Sequence, residues 1–235
     1  MADALQLVET IRSDLKPLGE KILAHAYVQA LEQGRVPRDL LKVFAAQQYH
    51  IISSDLRSIA LILSREGMRP SRRFLMNVLQ GEAAALDALQ LFAEALGLPP
   101  RDLEGFKPLP GAHAYCTFLA WLALYGSDAE LAAALLLNLP AWGANCKRMR
   151  EALHEKYGLA SSALAFFDLF AEMPAFDAEA NAIMQDGLER GVPARLIHRA
   201  ARLLQGYELM FWDTMAAVAG VHVDPVDIGD ERAIH

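Results

Sequence analysis

From about residue 3 to residue 219 the apolar side chains return every three or four positions, and nowhere do they alternate as a half-buried strand requires. That period limits the chain to helices packed on helices. Amphipathic segments run over about 3–33, 37–66, 70–97, 111–125, 128–157, 160–173, 176–190 and 193–219. Between them stand residues that stop or bend helices: Gly34 and Pro37, Pro70, Pro99 and Pro100, Pro108 and Pro110, Gly126, Gly158, Pro174, Gly191 and Pro193. Ser127, with Glu130 three residues later and an apolar run behind it, carries the signature of a capping box. The pattern predicts an all-α bundle in one domain over 1–235, with an irregular tail from 221 to 235. A ligand site in such a bundle lies in its core, between facing helices.

Composition narrows the function classes. Hydrophobic residues make up 54% of the chain and charged residues 22%, the balance of a globular protein rather than a disordered one. The greasiest stretch, AELAAALLLNLPAW (129–142), is too short for a membrane span and is interrupted by Asn138 and Pro140. The first residues carry acids and no signal-peptide pattern, so the expectation is a cytoplasmic protein without a membrane partner. The net charge of −7 is spread over helices that also carry Lys and Arg, which leaves no basic stripe for nucleic acid. Cys116 and Cys146 form no CxxC pair and read as free thiols. The seven histidines make no HxxxH or HExxH pair, and Glu151 with His154 gives a single ExxH without a second copy, so no metal or other cofactor is expected. No GxSxG, phosphate-binding or dinucleotide motif is present.

The informative residues are polar ones on apolar stripes. In GYELMFWDTM (206–215), Glu208 falls on the stripe formed by Ile197, Ala201, Leu204, Phe211, Met215 and Val218. A carboxylate there must be paired, kept protonated, or aimed into a cavity that holds something polar. Gln48 and Asp55 fall on the face of Phe44, Ile51, Ile52, Ile59, Ile62 and Leu63. Tyr115 shares a face with Phe118, Leu119 and Leu122, and Asn138 interrupts the apolar run two residues before Pro140. Taken singly, each is best read as a satisfied core group, with Glu208 bound to an arginine. Taken together, they put polar groups from four helices into one interior. An apolar cavity with a few convergent polar groups is what a small-molecule site looks like, and a desolvated Glu suits a general acid or base. Spacing leaves open whether Asp55, Cys116 or Cys146 reaches that interior.

Several stretches resemble the TenA (thiaminase II) and PqqC-like family. HAYVQALEQGRVPRDLLKVFAAQQ (25–48) resembles its opening, and FKPLPGAHAYCTF (106–118) its connector and helix start. YGSDAELAAALL (125–136) is similar to an internal helix of the family, and GYELMFWDTM to its closing Y-E-x-x-F-W motif. The resemblance covers about residues 20 to 220 and implies a heme-oxygenase-like helical bundle, assembled as a homodimer or homotetramer. TenA enzymes hydrolyse thiamin or a degraded aminopyrimidine with a cysteine nucleophile and a glutamate acid/base. By position the resemblance makes Glu208 that glutamate, with Tyr115 and Phe211 kept and Trp142 at a later aromatic position. Gln48 stands where the family has a pyrimidine-binding aspartate, Ile51 where it has a tyrosine, and Asn138 where it has the cysteine; a gap would put Pro140 there instead. An amide is no nucleophile. Cysteine-less relatives are thought to rely on carboxylates, which keeps open a hydrolase with Glu208 acting on water. The superfamily's di-iron pattern is met at Glu82 but fails at Leu89, and 160–190 holds no histidine. The expected site is Glu208 as acid/base, with Gln48, Ile51, Tyr115, Asn138, Trp142 and Phe211 around a small aromatic or heterocyclic ligand. The alternative is a non-catalytic binding or regulatory homologue.

Overall fold

The computed structural model describes residues 3–66 and 69–223, and within them the chain is helical with no strand. Ten α-helices follow one another: α1 Ala4–Leu23, α2 Ala26–Glu32, α3 Leu41–Glu66, α4 Arg72–Ala95, α5 Pro100–Leu103, α6 Pro110–Tyr125, α7 Asp128–Glu155, α8 Ala165–Ala171, α9 Asp177–Glu189 and α10 Ala194–Val218. Short 3-10 turns, Arg38–Leu40 and Ser161–Leu164, lead into α3 and α8. Residues 221–223 have no regular structure, and the rest of the predicted irregular tail lies outside the described residues.

Local chemistry explains most of these boundaries. The Ser127 hydroxyl accepts from the Glu130 amide at 3.2 Å, and the Glu130 carboxylate accepts from the Ser127 amide at 2.9 Å. The capping box is thus complete, and it starts the longest helix. Pro100 and Pro110 sit at helix starts, where a missing N–H costs nothing. Pro100 begins the one-turn helix α5, which a reading of Pro99 and Pro100 as plain connectors overlooks. The expected single helix over 3–33 is in fact two. The chain breaks at Ala24 and His25, and His25 Nδ1 caps α2 by accepting from the Tyr27 amide at 3.2 Å. Apolar periodicity runs across this break because α1 and α2 both bury one face in the same interior.

Helix α7 is central and packs against α2, α8, α9 and α10, while α3 packs against α4 and α6, and α10 also lies on α1 and α6. The interior is two apolar cores rather than one. The first contains Phe44, Phe92, Phe166, Phe167 and Trp212, and the second Ile62, Phe74, Leu122, Ile183 and Leu204. The boundary crosses four helices at polar residues. On α3, Ile52 belongs to the first core and Ile59 to the second, with Asp55 between them; on α7, Asn138 separates Leu136 from Ala141. On α10, Glu208 lies between Leu204 and Leu209, and on α6 Tyr115 packs against both cores.

Close backbone approach holds α8 beside this boundary. A Cβ on Gly143 would sit 2.7 Å from the Phe170 carbonyl oxygen, so α8 would have to move to admit one. Gly143→Ala should therefore destabilise the protein by about 1–3 kcal/mol, seen as a lower urea midpoint. An unchanged midpoint would show that this approach does not constrain α8.

Candidate functional site

A cavity of about 400 Å³ lies at the junction of the two cores. Its wall draws on α3, α4, α6, α7, α8, α9, α10 and the segment 173–176 that leads into α9. The size suits a small organic ligand. Glu208, Gln48, Ile51, Tyr115, Asn138, Trp142 and Phe211 all line it, so every side chain singled out from the sequence is brought to one place. Neither Cys116 nor Cys146 is among the lining residues.

The aromatic wall is organised by edge contacts. Trp142 meets Phe211 edge-on at 5.9 Å between ring centres and Phe170 at 5.7 Å, and Phe44 buttresses Phe211 at 5.7 Å. Such packing fixes ring planes and presents faces to a flat ligand.

Glu208 is 2% exposed, and no arginine among the described residues reaches it. It is held instead by neutral donors. The Trp212 indole N–H donates to Glu208 Oε1 at 3.0 Å, and the Asn138 amide N–H donates to Oε2 in a short hydrogen bond. The Tyr115 hydroxyl in turn donates to Asn138 Oδ1 at 3.0 Å. Asn138 therefore bridges Tyr115 and the acid. Burial favours the neutral acid more strongly than these two donors favour the anion, and the Glu208 carboxyl is pushed up to about 8. Each carboxyl oxygen accepts one bond, so a proton on Glu208 takes a remaining position, available to a molecule in the cavity.

Gln48, also buried, lines the cavity and makes no hydrogen bond to any described residue. The neighbouring Gln47 is the one committed to structure, donating to the Lys107 carbonyl at 3.1 Å and accepting from the Leu109 amide at 2.8 Å. Ile51 contributes apolar wall.

Three further acids that the expected site left out line the cavity: Asp55, Glu82 and, from α9, Glu179. Asp55 on α3 was visible on its apolar face, and it is 3% exposed. Glu82 on α4 is half-buried. Its signal in the sequence was the series Val78, Glu82, Ala85 and Leu89, an acid inside a helical stripe. Burial and then the Glu82 charge raise the Asp55 carboxyl well above its ordinary value, and burial lifts Glu82 to about 7. Burial, followed by the nearby carboxylates, likewise raises the Tyr115 hydroxyl. The buried thiols behave alike: Cys116 is pushed up to about 12, chiefly by burial, and Cys146 well above its ordinary value, which makes both poor nucleophiles. Among the described residues, no group of three or more His, Cys, Asp or Glu is arranged to hold a metal ion. Leu89 is fully buried in the first core.

Residues 12–217 match the TENA/THI-4/PQQC family over most of the chain. The chain belongs to that family. A curated relative, the aminopyrimidine aminohydrolase of Bacillus subtilis (strain 168), is 27% identical over 135 residues, and the match spans 56% of either chain. Among solved structures, a TenA homolog from Pseudomonas syringae pv. tomato superposes with a TM-score of 0.76 at 16% identity, covering 89% of this chain and 92% of that one. A domain of unknown function with a heme oxygenase-like fold from Shewanella denitrificans OS217 superposes with a TM-score of 0.69 at 14% identity, covering 93% and 92%. The fold is thus the heme-oxygenase-like bundle.

A raised carboxyl has a defined effect on stability. Folded Glu208 keeps a proton that the unfolded chain releases above about 4.5, so stability falls as pH rises from about 4.5 to about 8 and then levels. Glu208→Gln fits the same space, because the Asn138 amide can turn to accept from the new N–H and donate to the Tyr115 oxygen. That variant should gain on wild type between pH 5 and pH 8.5 by on the order of a few kcal/mol in urea unfolding, and a pH-independent difference would contradict a neutral buried acid.

Proposed function

We propose that the protein is a cofactor-independent hydrolase of a small nitrogen heterocycle, of the aminopyrimidine type, with Glu208 as acid and base. The observation that carries this reading is the state of Glu208: buried, free of any cation, held by Trp212 and Asn138, and raised to about 8 where it lines the cavity. An acid with that value is mostly neutral near pH 7 yet able to exchange its proton, which suits general acid and base work. The name of the Bacillus subtilis relative, aminopyrimidine aminohydrolase, supports the substrate class.

The chemistry follows from what lines the cavity. No cysteine lines it, and Asn138 cannot attack carbon, so the nucleophile in this reading is water. Neutral Glu208 gives its proton to the departing nitrogen as the C–N bond breaks. Water forms the new C–O bond, and one of its protons returns to the Glu208 carboxylate, so that an alcohol and an amine leave and the acid is restored. Trp142 and Phe211, set edge to face, would form an aromatic corner against the flat ring, Ile51 would bound it, and Gln48, with its free amide, would orient the ring nitrogens. Asn138 and Tyr115 hold Glu208 in position.

One observation favours the second reading, a binding homologue without turnover. Asn138 occupies the position of the family's nucleophile and clasps Glu208 directly, an arrangement equally suited to hydrogen-bonding a ligand that is not transformed. Turnover separates the two. Incubated with thiamin and aminopyrimidines, the wild type should release the hydroxylated product, with kcat/KM falling above about pH 8 as Glu208 loses its proton. Glu208→Gln should lower kcat by about 10²–10⁴-fold while leaving KM within a few-fold. Ligand-induced thermal stabilisation without product would establish the binder.

A further inference from the structure

The cavity is more acidic than hydrolysis at Glu208 requires. Four carboxyl groups line it, those of Asp55, Glu82, Glu179 and Glu208, and no described lining residue carries a positive charge. Glu179 is neutralised by Arg73, whose guanidinium reaches it at 2.6 Å. Glu208 has Trp212 and Asn138. Asp55 and Glu82, facing each other from α3 and α4, have no such partners. Asp55 Oδ1 is buried without any hydrogen-bond donor, although the side chain is only 3% exposed and lines the cavity. Neither acid forms an ion pair among the described residues, and no cation enters the causes of either shift.

A buried oxygen left without a donor destabilises the fold, a cost that folding alone gives no reason to keep. Asparagine at 55 would fill the same space without placing two acids side by side. The group that would satisfy both is planar, cationic and equipped with paired N–H donors, because such a fork meets two carboxyl groups with directed, charge-assisted bonds. An aromatic ring carrying the group would extend toward Trp142 and Phe211.

We propose that Asp55 and Glu82 form a second recognition site in the cavity, one that selects ligands bearing an amidinium-type cation. It rests on the reading of the cavity as a ligand site and sharpens the substrate class to rings with a protonated N–C–N unit. The carboxyl that Gln48 lacks is thereby provided from two turns further along α3 and from α4. The two sites divide the work: Asp55 and Glu82 bind the cationic edge, and Glu208 acts from its own cluster with Asn138 and Trp212.

Benzamidine and its neutral isostere benzamide test this without any need for turnover. Calorimetry at pH 7 with the wild type should show benzamidine binding at least about tenfold tighter than benzamide, the scale of one charge-assisted interaction. Asp55→Asn and Glu82→Gln should each reduce that preference to about threefold or less, while Glu208→Gln leaves it within about twofold. Asp55→Asn should also fold with an unchanged or higher Tm, since it removes an unsatisfied acid; if it fails to fold, Glu82→Gln carries the test. Equal affinity for the two probes, no saturable benzamidine binding, or a preference that survives the Asp55 and Glu82 substitutions would overturn the proposal. Loss of the preference in Glu208→Gln alone would instead assign the cation to Glu208. A protein without turnover that still prefers benzamidine through Asp55 and Glu82 would reject the hydrolase and keep this site.

Discussion

Burying Glu208 without a cation is the constraint around which the rest of the interior is arranged. A lone carboxylate in an apolar core would be driven to neutrality or would unfold the protein. Here two neutral donors hold it and burial raises it to about 8, so the acid persists as a proton carrier instead of an ion pair. The same balance explains the split of the interior into two cores. At the level of Glu208, helices α3, α6 and α7 contribute Asp55, Tyr115 and Asn138, and apolar packing is interrupted there on every one of them. The cavity is the space this interruption leaves.

Much of the fold was legible because its signals are local. Helix positions follow the 3.6 period, and the start of α7 follows from Ser127 and Glu130 alone. The features that escaped depend on distant partners. His25 looks like any polar residue in a helical stripe until its ring caps α2 and its Nε2 meets Asp213 at 3.1 Å. The polar stripe residues were recognisable one helix at a time, but only the packing of α3, α4, α6, α7 and α10 shows that they share a cavity. Glu82 marks the limit most plainly. Its own stripe is legible, yet its meaning comes from Asp55 on another helix and from the absence of a neighbouring cation. The alternative in which an arginine satisfies Glu208 gives way to Trp212, one turn away on its own helix, where i,i+4 spacing finds it, and to Asn138, 70 residues away.

Membership of the TENA/THI-4/PQQC family supplies the frame, and the residues at the junction of the two cores set the chemistry inside it. Asn138 is no nucleophile, but it donates a hydrogen bond to Glu208. Gln48 brings a neutral amide to the cavity wall, and Asp55 and Glu82 bring further carboxyl groups from α3 and α4. Apolar helix faces thus hold the hollow open, while the polar groups that line it decide what it can hold.

The neutrality of Glu208 near pH 7 is the central physical claim, and infrared difference spectroscopy reads it directly. Spectra of the wild type against Glu208→Gln, taken from pH 4 to pH 10, isolate the carboxyl band of this one residue. A neutral-acid band that persists through pH 7 and disappears with a midpoint near 8 is the expected result. A band lost near the ordinary value of 4.5 would mean that the acid is ionised in the cavity, and the mechanism built on it would fail.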